Sequence, residues 1–215
     1  MNDLALWQSR FEEFWTARPV ADNTHDIHHL RRVWRIAARL AEQEGGADLL
    51  VILAAAYLHD IVNLPKDSPE RPQASRMAAA EAVKILRAMG FSESRLDAVN
   101  HAIAAHSFTA GVPPQSLEAR ILQDADRLDA LGAIGLARCF HIGGQLQRAL
   151  FDNDDPLAHH RAPDDARFVL DHLKIKLLKL PEIMQTRAGR EMAMERAAFI
   201  TAFQNQIEGE LLGTL

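Results

Sequence analysis

The sequence predicts an all-α protein, an irregular helical bundle folded as a single domain over residues 1–215. Three observations lead there. Apolar residues recur at helical spacing along most of the chain, alternating strand patterns with turn dipeptides are absent, and Ala and Leu dominate over β-branched residues. No repeat of fixed period is present, which argues against a solenoid. With 215 residues, 48% of them hydrophobic and 25% charged, the chain can bury a core without covalent staples.

The elements follow in order. Leu4, Trp7, Phe11 and Phe14 or Trp15 make the first helical stripe, and Pro19 stops it soon after. Leu30, Val33, Ala37 and Leu40 or Ala41 make the second, ended by Gly45-Gly46. From Asp48 to Asp60 the chain is apolar nearly all round, as expected of a helix at the centre of a bundle. Pro65, Pro69 and Pro72 mark a loop. Ser75 is expected to cap a helix running to Met89, with Gly90 and Phe91 forming a Schellman ending, and Ser92 to cap Glu93 to about His106. A loop at Gly111, Pro113 and Pro114 precedes helices from about Gln115 to Gly143. A polar loop from Asp152 to Pro163 leads to two long charged segments, about Asp165–Leu180 and Gln185–Leu212, separated by Pro181. The core is therefore set at about 20–145 and a C-terminal helical extension at about 165–212.

Composition narrows the function. Lys plus Arg number 24 against 29 Asp plus Glu, a formal charge of -5, which argues against a stable nucleic-acid complex. Cys139 is the only cysteine, so an intramolecular disulfide and a multi-cysteine zinc site are excluded; it reads as a buried thiol. The longest apolar run, Leu49–Leu58, falls far short of the ~20 residues of a membrane span. The charged amphipathic start is unlike a signal peptide, so a cytoplasmic protein with no membrane partner is expected. No glycine-rich phosphate loop precedes a lysine, and Asp152-Asn153-Asp154-Asp155 lacks the glycine and closing glutamate of a calcium loop.

The 10 histidines are the anomalous number, because imidazole is the commonest metal ligand. Three places hold residues suited to one ion: His25 to Arg32, His59-Asp60, and Asp124 to Asp129. His29 lies in line with Val33, Ile36 and Leu40 and should point inward. Asp60 ends an apolar run, and Asp126 sits between Leu122 and Leu128; a charge in either place is costly unless paired or metal-bound. Two imidazoles and two carboxylates from three helices make a mixed nitrogen and oxygen set that suits Mn, Fe, Co, Ni or Zn, with Mg kept as a further candidate ion.

In this order the residues resemble the HD-domain metal-dependent phosphohydrolases, whose pattern is a His, an adjacent His-Asp pair and a distant Asp, all on helices. The resemblance is closest to a small bacterial subgroup of predicted HD phosphohydrolases, and the segments HDIHHLRRVW, LHDIVNLPK, HAIAAHSFTAG, QDADRLDALGAIGLAR and KLLKLPEIMQT carry it. It covers nearly the whole chain and implies the HD-domain type of bundle, one divalent metal ion, and metal ligands His29, His59, Asp60 and Asp126. His29 rather than His28 matches because it stands three residues before Arg32-Val33. Asp126 rather than Asp124 matches because it precedes Arg127-Leu128. His25-Asp26 is expected to orient His29 from one turn away.

Some nucleotidases of the superfamily carry a glutamate three residues after the His-Asp pair; here Asn63 stands there and cannot act as a base. His106, at the expected end of its helix, is the candidate for the proton work, and Asp60 for orienting the nucleophile. Arg32, Lys66 and Arg127 are the candidate phosphate-binding cations, with Lys176 or Lys179 as further ones. His101 with His106 fits poorly the extra pair of binuclear members, so one ion is expected. The expected activity is hydrolysis of a phosphomonoester or pyrophosphate bond in a small phosphorylated substrate, a nucleotide by resemblance; a homodimer is compatible with it. Two alternatives stand beside it: a non-catalytic nucleotide or metal sensor, favoured by Asn63, and a helical interaction module whose histidines are incidental.

Overall fold

The computed structural model describes residues 3–18, 27–62, 64 and 68–214. Among them are nine α-helices and no β-strand, with one isolated bridge between Ala149 and Phe168. None of these helices is long and apolar enough to cross a membrane. The chain divides into two compact units, Met1–Asp126 and Arg127–Leu215.

The first unit is built from α1 (Asp3–Thr16), α2 (Ile27–Glu44), α3 (Leu49–Leu58), α4 (Ala74–Ala88) and α5 (Glu93–His106), followed by α6 (Leu117–Asp129), which carries the chain out of the unit. At its centre is α3, packed against α1, α2, α4 and α5. Val51 through Leu58 are all 2% exposed or less, so the uniform apolarity of this stretch reflects burial on every side. Its N-terminus is closed by Asp48, whose Oδ1 accepts from the backbone N–H of Leu50 and Val51 at 3.0 and 3.4 Å. Arg95 of α5 donates to Asp48 Oδ2 at 2.6 Å, and Glu118 of α6 accepts from the Asp48 N–H at 3.0 Å.

Around α3, the face of α2 formed by Leu30, Val33, Ala37, Leu40 and Ala41 is buried. This is the stripe the sequence displays. Helix α4 starts at Ala74, and Ser75 does not cap it: the Ser75 hydroxyl is buried and donates to the Ala104 carbonyl of α5 at 3.1 Å. A capping hydroxyl and a bridging hydroxyl look alike in sequence. The Schellman ending forms as expected, with Gly90 at φ +74° and Phe91 N–H reaching the Leu86 carbonyl at 2.9 Å. Ser92 occupies the N-cap position of α5 as expected, but its hydroxyl makes no capping bond and pairs with the Ser94 hydroxyl at 2.9 Å.

The second unit holds α7 (Gly132–Gln145), α8 (Val169–Ile175), a 3-10 segment (Leu177–Ile183) and α9 (Arg187–Leu212). The expected long helix over about 165–180 is instead the seven-residue α8 and the 3-10 segment containing Pro181. Proline has no N–H to continue an α-helical ladder. Leu177 and Leu180, both buried, match the three-residue repeat of the tighter turn. A Cβ on Gly143 would sit 2.3 Å from Val169 Cγ2, so α7 meets α8 where side-chain bulk is absent. Cys139 is partly covered rather than buried; desolvation still pushes its thiol up to about 11.

The loop before α8 is ordered by carboxylates. Asp152 Oδ1 accepts from the N–H groups of Asp154 and Asp155, and the Asp155 carboxylate accepts from those of His159, His160 and Arg161. Buried Asp171 takes a two-pronged bond from Arg161 at 2.5 and 2.8 Å.

Two outcomes follow. Leu53→Ala should lower unfolding stability by about 2–5 kcal/mol, because the enclosed site cannot collapse around the void; urea denaturation followed by circular dichroism reads it. Desolvation raises the Asp155 carboxyl, but the three backbone donors outweigh it and bring the value to about 2. Its support of the loop should be complete above 3.8, the ordinary value, and be lost as pH falls through about 2, which a carboxyl-carbon NMR titration reads directly.

Candidate metal centre

Five side chains from the first unit converge where four helices end or pass. His29 lies in the first turn of α2, His59 and Asp60 follow the last residue of α3, His106 closes α5, and Asp126 lies near the end of α6. His29 and His59 are each 1% exposed and His106 is 7% exposed. Neighbouring His28 is exposed, because one residue along a helix turns a side chain by about 100°.

The two inner imidazoles face each other, His29 Nε2 to His59 Nε2, at 3.3 Å. Asp126 Oδ1 lies 3.4 Å from His29 Nε2 and 3.9 Å from His59 Nε2. Asp60 Oδ2 lies 3.7 and 3.4 Å from the same two nitrogens. The other oxygen of Asp60 is turned to His106 Nε2 at 3.8 Å. Asp60 thus joins the four-atom set to His106.

The helix ends fix the ring orientations. The backbone carbonyls of a last helical turn have no partners within the helix. His59 Nδ1 donates to the Ala56 carbonyl at 2.9 Å, and His106 Nδ1 to the Ile103 carbonyl at 2.7 Å. Each bond spans three residues backward, places the proton on Nδ1 and directs the Nε2 lone pair into the cluster. At the end of α3, His59 N–H reaches the Ala55 carbonyl, Trp15 Nε1 of α1 donates to the Tyr57 carbonyl at 2.9 Å, and Ile61 N–H reaches the Leu58 carbonyl. At the end of α5, Ser75 holds the Ala104 carbonyl and Gln123 Nε2 of α6 holds the Ala105 carbonyl at 2.7 Å.

Electrostatics favours a cation among these atoms. Burial holds the His59 imidazole below its ordinary value. For Asp126, burial raises the carboxyl, but the His29 hydrogen bond and the fields of His59, His29 and His106 bring it well below the carboxylate range. Imidazole nitrogens and carboxylate oxygens converge, and metal bonds of about 2.0–2.2 Å place adjacent donors ~3.0–3.5 Å apart, close to the spacings here. Two overlapping groups could hold an ion: His29, His59 and Asp126; and His59, Asp60 and His106. They share His59 and so describe one centre.

The remaining candidates are distributed differently. His101 accepts from Gln115 N–H at 3.0 Å and is outside the cluster, since five residues of helix put it about 140° from His106. Arg32 is half-buried on α2, one turn from His29. Arg127 donates to the Ile183 carbonyl at 2.6 Å within the second unit, where Lys176 and Lys179 are exposed. His25, Asp26, Asn63 and Lys66 lie outside the described residues. Three residues that shape the centre were not singled out for it in the sequence: Trp15, Ser75 and Gln123. For Gln123 a signal existed, an amide one turn before Asp126 in an apolar stretch.

Comparison with known proteins places the chain among similar ones. The HD domain family model matches residues 26–131. The chain is 33% identical over 205 residues to the protein YpgQ of Bacillus subtilis, covering 93% of this chain and 91% of that one. Its fold matches an HD-superfamily hydrolase of Bacillus thuringiensis with a TM-score of 0.75 at 33% identity, covering 96% and 97% of the two chains. It also matches the crystal structure of B. subtilis YpgQ in complex with ADP, with a TM-score of 0.73 at 30% identity, covering 96% of each.

Titration calorimetry with Mn or Ni should give one ion per chain, and metal should raise the melting temperature by linkage. His59→Ala and Asp126→Ala should each weaken binding by at least ~10-fold, since removing even a supporting group costs that much. Equal affinity in all three proteins would contradict the ligand set.

Proposed function

The chain belongs to the HD-domain superfamily, and on that basis we propose that it is a metal-dependent phosphohydrolase cleaving a phosphomonoester or pyrophosphate bond of a nucleotide. The observation that carries this reading is the convergence of His29, His59, Asp60 and Asp126 on one point, with His106 at its edge. The ADP in the YpgQ crystal structure supports a nucleotide as the ligand class. In this reading residues 1–215 act as one HD-type domain with a C-terminal helical extension.

One divalent ion, Mn, Fe, Co, Ni, Zn or Mg, held by those four residues would lower the pKa of water toward ~7 and neutralise charge on the phosphoryl group. Asp60 has one oxygen toward the inner imidazoles and one toward His106, so it can orient a water between them. His106 Nε2 is the atom that receives the proton, because Nδ1 is committed to the Ile103 carbonyl. This supplies the base that Asn63 cannot. Arg32, Lys66 and Arg127 are assigned to phosphate oxygens.

A second reading, a nucleotide or metal sensor without turnover, is favoured by Asn63 in place of the glutamate. A panel of nucleotides and generic phosphoesters, run with Mn, Ni, Co, Zn and Mg, separates the two. Hydrolysis should require metal and be abolished by Asp60→Ala and Asp126→Ala, while His106→Ala should lower kcat ~10²–10⁴-fold with metal affinity retained. Nucleotide and metal binding with no turnover in any combination would favour the sensor. No turnover and no binding would sink both.

A further inference from the structure

We propose that Gln123 is a positioning residue that sets His106 against the Asp126 side of the centre. The proposal rests on the reading of His106 as the proton acceptor. Gln123 is 4% exposed and lies three residues before Asp126, on the same face of α6. Its Nε2 donates at 2.7 Å to the carbonyl of Ala105, the peptide unit that leads directly into His106. The amide therefore joins the backbone of one site residue to the helix of another.

The state of the other amide atom makes this more than packing. Gln123 Oε1 is buried and has no hydrogen-bond partner among the described residues. Rotating the amide would bring that oxygen against the Ala105 carbonyl, so the observed orientation is the one the carbonyl dictates. If volume alone mattered, an apolar side chain would fill the space without burying an unpartnered oxygen. Three successive carbonyls at the end of α5 are held by His106 itself, by Ser75 of α4 and by Gln123 of α6. His106 grips its own helix through the first. Of these three bonds, the one from Gln123 links that turn to the helix carrying Asp126.

The test uses the full chain with two variants, Gln123→Met, which keeps length but removes the donor, and Gln123→Glu, which sets a carboxylate against the carbonyl. Long-range proton–nitrogen spectra of the histidine rings are recorded on the metal-free proteins. In both variants the His106 ring resonances should shift and broaden while those of His59 hold, and amide exchange at Ala105–Ser107 should speed by at least ~10-fold. Unchanged His106 resonances, even with a lowered melting temperature, would overturn the proposal, as would equal movement of His59 and His106. With an active substrate, Gln123→Met should lower kcat while KM and Mn affinity hold, and the loss should vanish in a His106→Ala background; full additivity there would also overturn it. Should His106→Ala turn over as fast as the parent while the resonance shifts persist, the proton-acceptor assignment fails and the positioning role stands.

Discussion

The centre depends on one short bond made twice: an imidazole Nδ1–H donated to the carbonyl three residues earlier, by His59 at the end of α3 and by His106 at the end of α5. A helix end leaves carbonyls that need donors, and a metal-ligating histidine needs its second nitrogen occupied. At His59, the proposed ligand, one bond meets both needs; at His106 the same bond leaves Nε2 facing the cluster. It also ties ring geometry to the integrity of the last helical turn, so whatever steadies that turn steadies the Nε2 atom. Trp15, Ser75 and Gln123 do this from three other helices.

A second constraint is the placement of charge around a helix that tolerates none along its length. Residues Val51–Leu58 are enclosed, and polarity is confined to the two ends. At one end Asp48 meets Arg95 and backbone donors; at the other His59 and Asp60 meet the centre. The Arg95 ion pair is partly exposed and contributes little by itself to stability, ~0–1 kcal/mol. Its role is to fix where α3 begins, and through a ten-residue rigid element, where it ends.

Much of this was readable in the chain. The apolar stripe of α2 separates inward His29 from exposed His28, and the apolar run before Asp60 marks a carboxylate in need of a partner. The Schellman signal at Gly90-Phe91 is local and reads correctly. What was not readable shares one property: it depends on which helix end lies near which side chain. Ser75 reads as a cap until Ala104 is seen beside it, and Trp15 and Gln123 are ordinary core-facing residues until the carbonyls they meet are known. The charge patterning of 165–180 reads as one helix because it does not distinguish an α turn from the tighter one that follows α8, although Pro181 marks the place.

The residues of the candidate centre are spread through the sequence from His29 to Asp126 and come from α2, the end of α3, the end of α5 and α6. A ribosome-bound chain therefore carries His29, His59 and Asp60 well before α6 has left the tunnel. Until Asp126 emerges, the growing polypeptide offers a partial donor set with no Gln123 to order the turn at His106. Synthesis from the N-terminus thus makes α6 the piece that completes the candidate centre, because Asp126 and Gln123 both arrive on it.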